Sequence, residues 1–161
     1  MERRKFVIIM AAGSGTRMGA GRPKQFLELD GKAILQKTIE VFLEACPGIS
    51  VITVLPKDFI EYWRTYCLER NFVCPQILVA GGITRFHSVR NALDRVPEGA
   101  LVGVHDGVRP LVSPTFVRQM YERAETVHAL IPVTPCVETM KVLENKDGEL
   151  RTVPGAKADR S

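Results

Sequence analysis

Short, unbroken apolar runs alternate along this chain with stretches in which apolar residues recur at helical spacing. Phe6 to Ala11 is continuously apolar, which predicts a strand buried on both faces. A glycine-rich stretch follows, and Asp30-Gly31 marks a turn. Leu35, Ile39, Phe42 and Leu43 then share a helical face, and Pro47-Gly48 ends that helix. Val51 to Leu55 predicts a second strand, Asp58 to Glu69 a helix, and Gln76 to Ala80 a third strand. Phe86, Val89, Leu93 and Val96 lie on one helical face behind Thr84 as N-cap. Leu101 to His105 predicts a fourth strand. Ser113-Pro114 opens a helix that turns Val117, Met120, Tyr121 and Ala124 inward, and His128 to Pro132 predicts a fifth strand.

Strands separated by helices imply right-handed βαβ units and a mostly parallel sheet, an α/β fold. The pattern changes after Pro135. Val137 to Leu143 and Glu149 to Val153 flank Asn145-Lys146-Asp147-Gly148, which predicts a β-hairpin. Its alternation is poor, so packing at home and reaching out to a partner both stay open. Residues 155–161 have almost nothing to bury and predict a disordered tail.

Composition narrows the function classes. The chain has 161 residues, 45% of them hydrophobic, enough for one domain with a real core. A net charge of +4 is a mild excess that suits an anionic small molecule. Nucleic acid fits poorly, since aromatic residues make up only 7% and form no stacking platform. The early apolar run is too short for a signal segment or a membrane span. The four cysteines include no C-x-x-C pair and the three histidines are scattered, which argues against a zinc site and a disulfide framework. These features together lead us to expect a cytoplasmic protein with reduced thiols, no membrane and no metal held by the protein alone.

The densest chemistry lies in Ala11-Ala12-Gly13-Ser14-Gly15-Thr16-Arg17-Met18-Gly19, running on to Arg22-Pro23-Lys24-Gln25. It follows the first strand, where open α/β sheets bind ligands. Glycines allow close approach to a phosphate, and no Asp or Glu interrupts Arg17, Arg22 and Lys24. The dinucleotide fingerprint fails, because Met18 stands where a third glycine belongs, and the P-loop lacks its Gly-Lys-Ser/Thr. A polyphosphate cradle and a merely basic surface loop both satisfy this pattern. Two further loops follow predicted strands, Gly81-Gly82-Ile83-Thr84-Arg85 and His105-Asp106-Gly107-Val108-Arg109. In a parallel sheet all three emerge at the strands' carboxyl edge and line one crevice. Asp106 suits a ribose hydroxyl or a magnesium ion and Arg109 a second phosphate, or the two brace their loop as an ion pair. Trp63 and Tyr66 read as packing, His105 as a hydrogen-bonded strand-end group, and Cys136 as a small apolar residue.

With these residues in view, the sequence resembles the 2-C-methyl-D-erythritol 4-phosphate cytidylyltransferases. The resemblance rests on Ala11 to Met18, Pro23-Lys24-Gln25, Gly81-Gly82 with Arg85 and Ser88-Val89, His105-Asp106-x-x-Arg109-Pro110, and Glu138-Thr139-Met140-Lys141. It extends from Phe6 to Val153, and ribitol-5-phosphate cytidylyltransferases look alike in the same loops. It implies a Rossmann-like three-layer nucleotidyltransferase fold with a CTP-binding domain over residues 1–135 and a dimerisation arm over residues 136–154. Arg17 and Lys24 would stabilise the transition state at the α-phosphate of CTP. Ala11, Ala12, Gly13, Ser14 and Gly15 would wrap the nucleotide, with Gly82, Arg85 and Ser88 beside them. Asp106 and Arg109 would face the ribose and a sugar-alcohol phosphate, and Thr139 would enter the partner's site in a homodimer. Mg²⁺ would be held mainly by the CTP phosphates. The family's sequence continues past this chain's end, and its substrate-positioning Arg falls at Gly155. The resemblance therefore predicts a C-terminally truncated chain, either an enzyme, fully active or weakened, or a chain that binds nucleotide or only dimerises and turns nothing over.

Overall fold

The computed structural model describes residues 3–13, 22–135 and 141–155. The chain divides into two units, Met1–Ala129 and Leu130–Ser161. In chain order, β1 (Lys5–Met10) is followed by a 3-10 turn (Lys24–Phe26) and a small hairpin, β2 (Glu28–Leu29) with β3 (Lys32–Ala33). Then come α1 (Ile34–Ala45), β4 (Ser50–Leu55), α2 (Ile60–Glu69), β5 (Gln76–Ala80), α3 (Arg85–Leu93), β6 (Leu101–Asp106) and α4 (Pro114–Ala124). The second unit holds β7 (Leu143–Lys146) and β8 (Glu149–Thr152).

Four parallel strands form the central sheet in the order β5-β4-β1-β6. Chain order therefore runs outward from β1 to β4 and β5, then returns to β6 on the other side of β1. A reversal of this kind opens a crevice at the carboxyl ends of the strands. β1 lies between β4 and β6 and is covered on both faces, which is why its sequence is continuously apolar. Val7, Ile9 and Ala11 pack in one core with Leu35, Ile39, Phe42, Trp63, Tyr66, Val117 and Tyr121. Phe6, Ile8 and Met10 pack in another with Ile52, Val54, Val79 and Ala92. Helices α1, α2 and α4 thus cover one face and α3 the other, three layers in all.

The predicted Thr84 cap forms, and α4 starts at the predicted Ser113-Pro114 with Ser113 as its cap. The Thr84 hydroxyl accepts the His87 N–H at the start of α3, and the Ser113 hydroxyl accepts the Phe116 N–H at the start of α4. Trp63 is fully buried and stacks on Tyr66 at 5.2 Å, so both are core residues. Gly103 leaves room for Tyr121, whose hydroxyl donates to the Phe6 carbonyl at 2.6 Å.

Two predicted features change. On α3 the buried positions are Ser88 and Ala92, while Phe86 and Leu93 are exposed. The Ser88 hydroxyl accepts the Gly82 N–H at 3.0 Å and donates to the Thr84 carbonyl at 3.0 Å, and these bonds set the helix's rotation about its axis. Small residues on the inner face then let α3 lie close to the sheet. Residues 128–132 form no strand, and Ile131 and Val133 are exposed. An apolar run becomes a strand only with a ladder partner, and Pro132 and Pro135 each remove a donor.

In the second unit the hairpin turn is tighter than its sequence suggests. Asn145 and Lys146 belong to β7, and Asp147-Gly148 alone makes the turn, both at positive φ (55° and 85°). That is the two-residue geometry matched to strand twist. The Asn145 side-chain oxygen accepts the Gly148 N–H at 3.1 Å. Residues 137–140 of the predicted first strand lie outside the described residues, as does most of the predicted tail, residues 156–161.

Candidate active site

The three predicted loops meet in a cleft of about 610 Å³ at the carboxyl edge of the sheet. Ala11, Ala12 and Gly13 line it from the segment after β1, Lys24 and Gln25 from the 3-10 turn, Gly82 from the turn before α3, Arg85 and Ser88 from α3 itself, and Asp106 from the end of β6. Ser14, Gly15, Arg17 and Thr139 lie outside the described residues. Arg109 stands beside the cleft, joined to Asp106. Arg22 does not line it, and its guanidinium instead sits 5.5 Å from the Tyr62 ring centroid.

Backbone crowding explains the glycines. β5 is not a neighbour of β1, so the chain leaving β5 must bend across the end of β4 to reach the first loop. It does so with the Gly81 N–H donating to the Leu55 carbonyl at 2.8 Å. A Cβ on Gly81 would lie 2.5 Å from the Ala12 Cβ, and one on Gly82 would lie 2.5 Å from the His87 Cβ. Gly107 closes the other wall: its N–H donates to the Met10 carbonyl at 2.8 Å, and its carbonyl accepts from Thr38 at 3.1 Å.

The floor of the cleft is held by Gln25, to which the sequence pattern assigns no role. Gln25 is buried, and its amide nitrogen donates to the Ala11 carbonyl at 2.7 Å and the Gly13 carbonyl at 3.1 Å. No residue-type pattern shows such a contact, because its acceptors are main-chain atoms.

Charge is arranged unevenly. Asp106 is the one carboxylate among the described lining residues, and it is bridged by two cations. Arg85 Nη1 lies 2.8 Å from Oδ1 and Arg109 Nε 2.9 Å from Oδ2. Burial pushes this carboxyl's pKa up, but the hydrogen bonds and positive charges of Arg109 and Arg85 outweigh it and hold it below the usual carboxylate range. The predicted ion-pair brace is therefore present. His105 Nε2 lies 3.1 Å from the Arg109 carbonyl, which can only accept, so this nitrogen carries the proton. Its ring meets Phe42 edge-on at 5.0 Å. Lys24 lines the cleft and makes no ion pair among the described residues. A lysine beside a close-approach backbone, with two arginines sharing one carboxylate at the cleft, suits a polyphosphate.

Comparison with known proteins gives a consistent result. The family model described as IspD, 2-C-methyl-D-erythritol 4-phosphate cytidylyltransferase, matches residues 6–156. The chain is 45% identical over 143 residues to the 2-C-methyl-D-erythritol 4-phosphate cytidylyltransferase of Bacteroides thetaiotaomicron, covering 89% of this chain and 65% of that protein. It is 45% identical over 150 residues to the enzyme of the same name from Phocaeicola vulgatus, covering 93% and 68%. Among solved structures, the 4-diphosphocytidyl-2C-methyl-D-erythritol synthase of Anaerococcus prevotii superposes with a TM-score of 0.73 at 26% identity, over 95% of this chain and 64% of that one. The chain thus spans about two thirds of the length of the curated relatives it matches.

Proposed function

The chain belongs to the 2-C-methyl-D-erythritol 4-phosphate cytidylyltransferase family, and on that premise we propose that it joins CTP to 2-C-methyl-D-erythritol 4-phosphate, giving 4-diphosphocytidyl-2-C-methyl-D-erythritol and pyrophosphate. The observation that carries this reading is a cleft lined by Gly13, Gly82 and Lys24, in which Lys24 makes no ion pair and Asp106 is the one lining carboxylate among the described residues.

In the reaction, a phosphate oxygen of the acceptor attacks the α-phosphorus of CTP in line. The bond from that phosphorus to the bridging oxygen breaks, and pyrophosphate leaves with the electron pair. The acceptor phosphate is already ionised, so no strong general base is required. Catalysis is then positioning plus neutralisation of spreading charge. Lys24 supplies one cation, and we assign Arg17 the second. Ala11, Ala12, Gly13 and the assigned Ser14 and Gly15 wrap the nucleotide, with Gly82, Arg85 and Ser88 on its far side. Asp106 and Arg109 serve the ribose and the acceptor phosphate.

Magnesium usually keeps several waters and binds through one or two carboxylates plus substrate phosphates. The cleft fits that pattern, because Asp106 is its one carboxylate among the described residues and is already engaged by two arginines. An ion there would come chiefly on the triphosphate and would supply charge neutralisation.

We also assign residues 136–154 to a homodimer contact that carries Thr139 to the partner's cleft. Every residue of β7 and β8 is exposed, and a lone two-stranded hairpin is marginal in water, so it gains from a partner surface. No helix among the described residues is long and apolar enough to cross a membrane.

Magnesium-dependent pyrophosphate release from CTP tests the reading, with methylerythritol phosphate and ribitol 5-phosphate supplied in parallel. Release with methylerythritol phosphate is the expected result. Turnover confined to ribitol 5-phosphate would move the chain to the sister activity. Silence with both, in a sample that still binds CTP, would leave a nucleotide binder without turnover.

A further inference from the structure

We propose that Gln25 is a positioning residue of this site, setting the backbone from which Lys24 enters the cleft against the Ala11–Gly13 main chain; the proposal rests on the cytidylyl-transfer reading above. A 3-10 turn has three residues per turn, so successive side chains point about 120° apart. Lys24, Gln25 and Phe26 occupy one such turn and face three ways. Lys24 lines the cleft. Phe26 is almost fully buried, stacked on Phe59 at 5.3 Å and edge-on to Tyr62 at 5.0 Å. Gln25 points at the first loop and gives both amide hydrogens to it, at 2.7 and 3.1 Å. The turn is therefore anchored in the core at one residue and tied to the loop at the next, and the third has little freedom left at its backbone.

The loop is constrained in the same way. The Ala11 N–H donates to the Val54 carbonyl at 2.9 Å, while the Ala11 carbonyl accepts from Gln25, so this residue is held from both sides. A Cβ added to Gly13 would meet nothing within 4 Å, so that side of the residue is open, while its carbonyl is held by Gln25. The chemistry admits few substitutes. A glutamate would set carboxylate oxygens against two carbonyl oxygens, a leucine would leave both acceptors unbonded, and an asparagine is one methylene too short. Because both amide hydrogens are spent on the main chain, Gln25 acts on the substrate through Lys24 and the loop.

The test uses the full chain with Gln25→Leu, Gln25→Glu, Lys24→Ala and the Gln25→Leu/Lys24→Ala double variant. Two readouts are needed: hydrogen–deuterium exchange, and calorimetric affinity for CTP with Mg²⁺. Gln25→Leu should raise exchange in residues 11–13 and 22–26 together while peptides from β4 and β5 stay as in the parent. It should weaken CTP binding about tenfold, and clearly less than that when Lys24→Ala is already present. Gln25→Glu should show a binding defect that shrinks as the solution is acidified, because a protonated carboxyl regains one donor. Unchanged exchange in either segment overturns the proposal, as does a full multiplicative loss in the double variant or a general rise in exchange across the sheet. If the parent chain fails to bind CTP, the cytidylyl-transfer reading falls, and the paired exchange response still decides whether Gln25 ties the two segments.

Discussion

Arg85 Nη1 lies 2.8 Å from Asp106 Oδ1, so the first residue of α3 is tied to the last residue of β6. These residues belong to opposite walls of the cleft, and Arg109 holds the other carboxylate oxygen from the loop beyond β6. One carboxylate thus orders two guanidiniums and keeps them from repelling one another. Without it, both would remain beside the cleft with their charge unbalanced. Asp106→Asn should therefore retain pyrophosphate binding while losing at least about tenfold in turnover, since anion attraction survives but the alignment of Arg85 and Arg109 does not. The folding cost should be within about 1 kcal/mol per pair, as both arginines are largely exposed. Parallel calorimetry and steady-state assays separate the two effects.

The same carboxylate sets an acid limit. Its folded pKa is depressed, so its contribution is fully present above the unfolded value of about 3.9 and is lost as pH falls through the lower folded value. At neutral pH the bridge is intact. Urea melts across the acid range should show a loss of stability below about pH 4 that is smaller in Asp106→Asn.

Lys24→Ala removes a cation that makes no ion pair among the described residues, so its cost should appear in catalysis and not in folding. By analogy with removal of one preorganised donor at a developing negative charge, turnover should fall about 10²–10³-fold. The melting temperature should stay close to that of the parent. Arg17→Ala should behave alike under the role assigned to it, and near-normal turnover in that variant would remove Arg17 from the mechanism.

Gly81→Ala should damage the cleft more than the fold. Its Cβ would stand 2.5 Å from the Ala12 Cβ, a separation that forces the loops after β1 and β5 apart. Loss of CTP affinity by more than about tenfold is expected, alongside a destabilisation of about 1–3 kcal/mol typical of overpacking. Calorimetry beside thermal denaturation reads both.

Gly103 and Tyr121 supply a check far from the chemistry. A Cβ at Gly103 would lie 2.6 Å from the Tyr121 hydroxyl, which is itself bonded to the Phe6 carbonyl. Tyr121→Phe should cost about 1–2 kcal/mol through the unbonded carbonyl. Gly103→Ala should cost more in the parent than in Tyr121→Phe, because the group it strikes is gone. Burial also raises the Tyr121 pKa, so its contribution is complete below the unfolded value of about 10 and declines as pH rises beyond that. Denaturant midpoints of the four proteins, and of the parent at alkaline pH, provide the measurement.

Much of this molecule was legible in its order of residues. The unbroken run Phe6 to Ala11 already implied a strand covered on both faces, and the alternation of strands and helices implied the parallel sheet. Thr84 and Ser113 marked helix starts because capping joins residues only a few positions apart. Once the strands were parallel, the loops after β1, β5 and β6 had to emerge at one edge, and so the crevice followed as well. What remained was decided by contacts between distant residues. Periodicity alone placed Phe86 and Leu93 inward, yet the rotation of α3 is set by Ser88 bonding back to the glycine turn. Apolar content suggested a strand at residues 128–132, but a strand exists only through a partner that composition does not name. Gln25 belonged to a segment that carried the family resemblance but received no role, because burial and hydrogen bonding to main-chain oxygens leave no trace in residue type. Local propensity and pattern act within a few residues and can be read along the chain, whereas the side-chain rotations, ion pairs and backbone straps that shape this cleft arise only when separate segments meet in space.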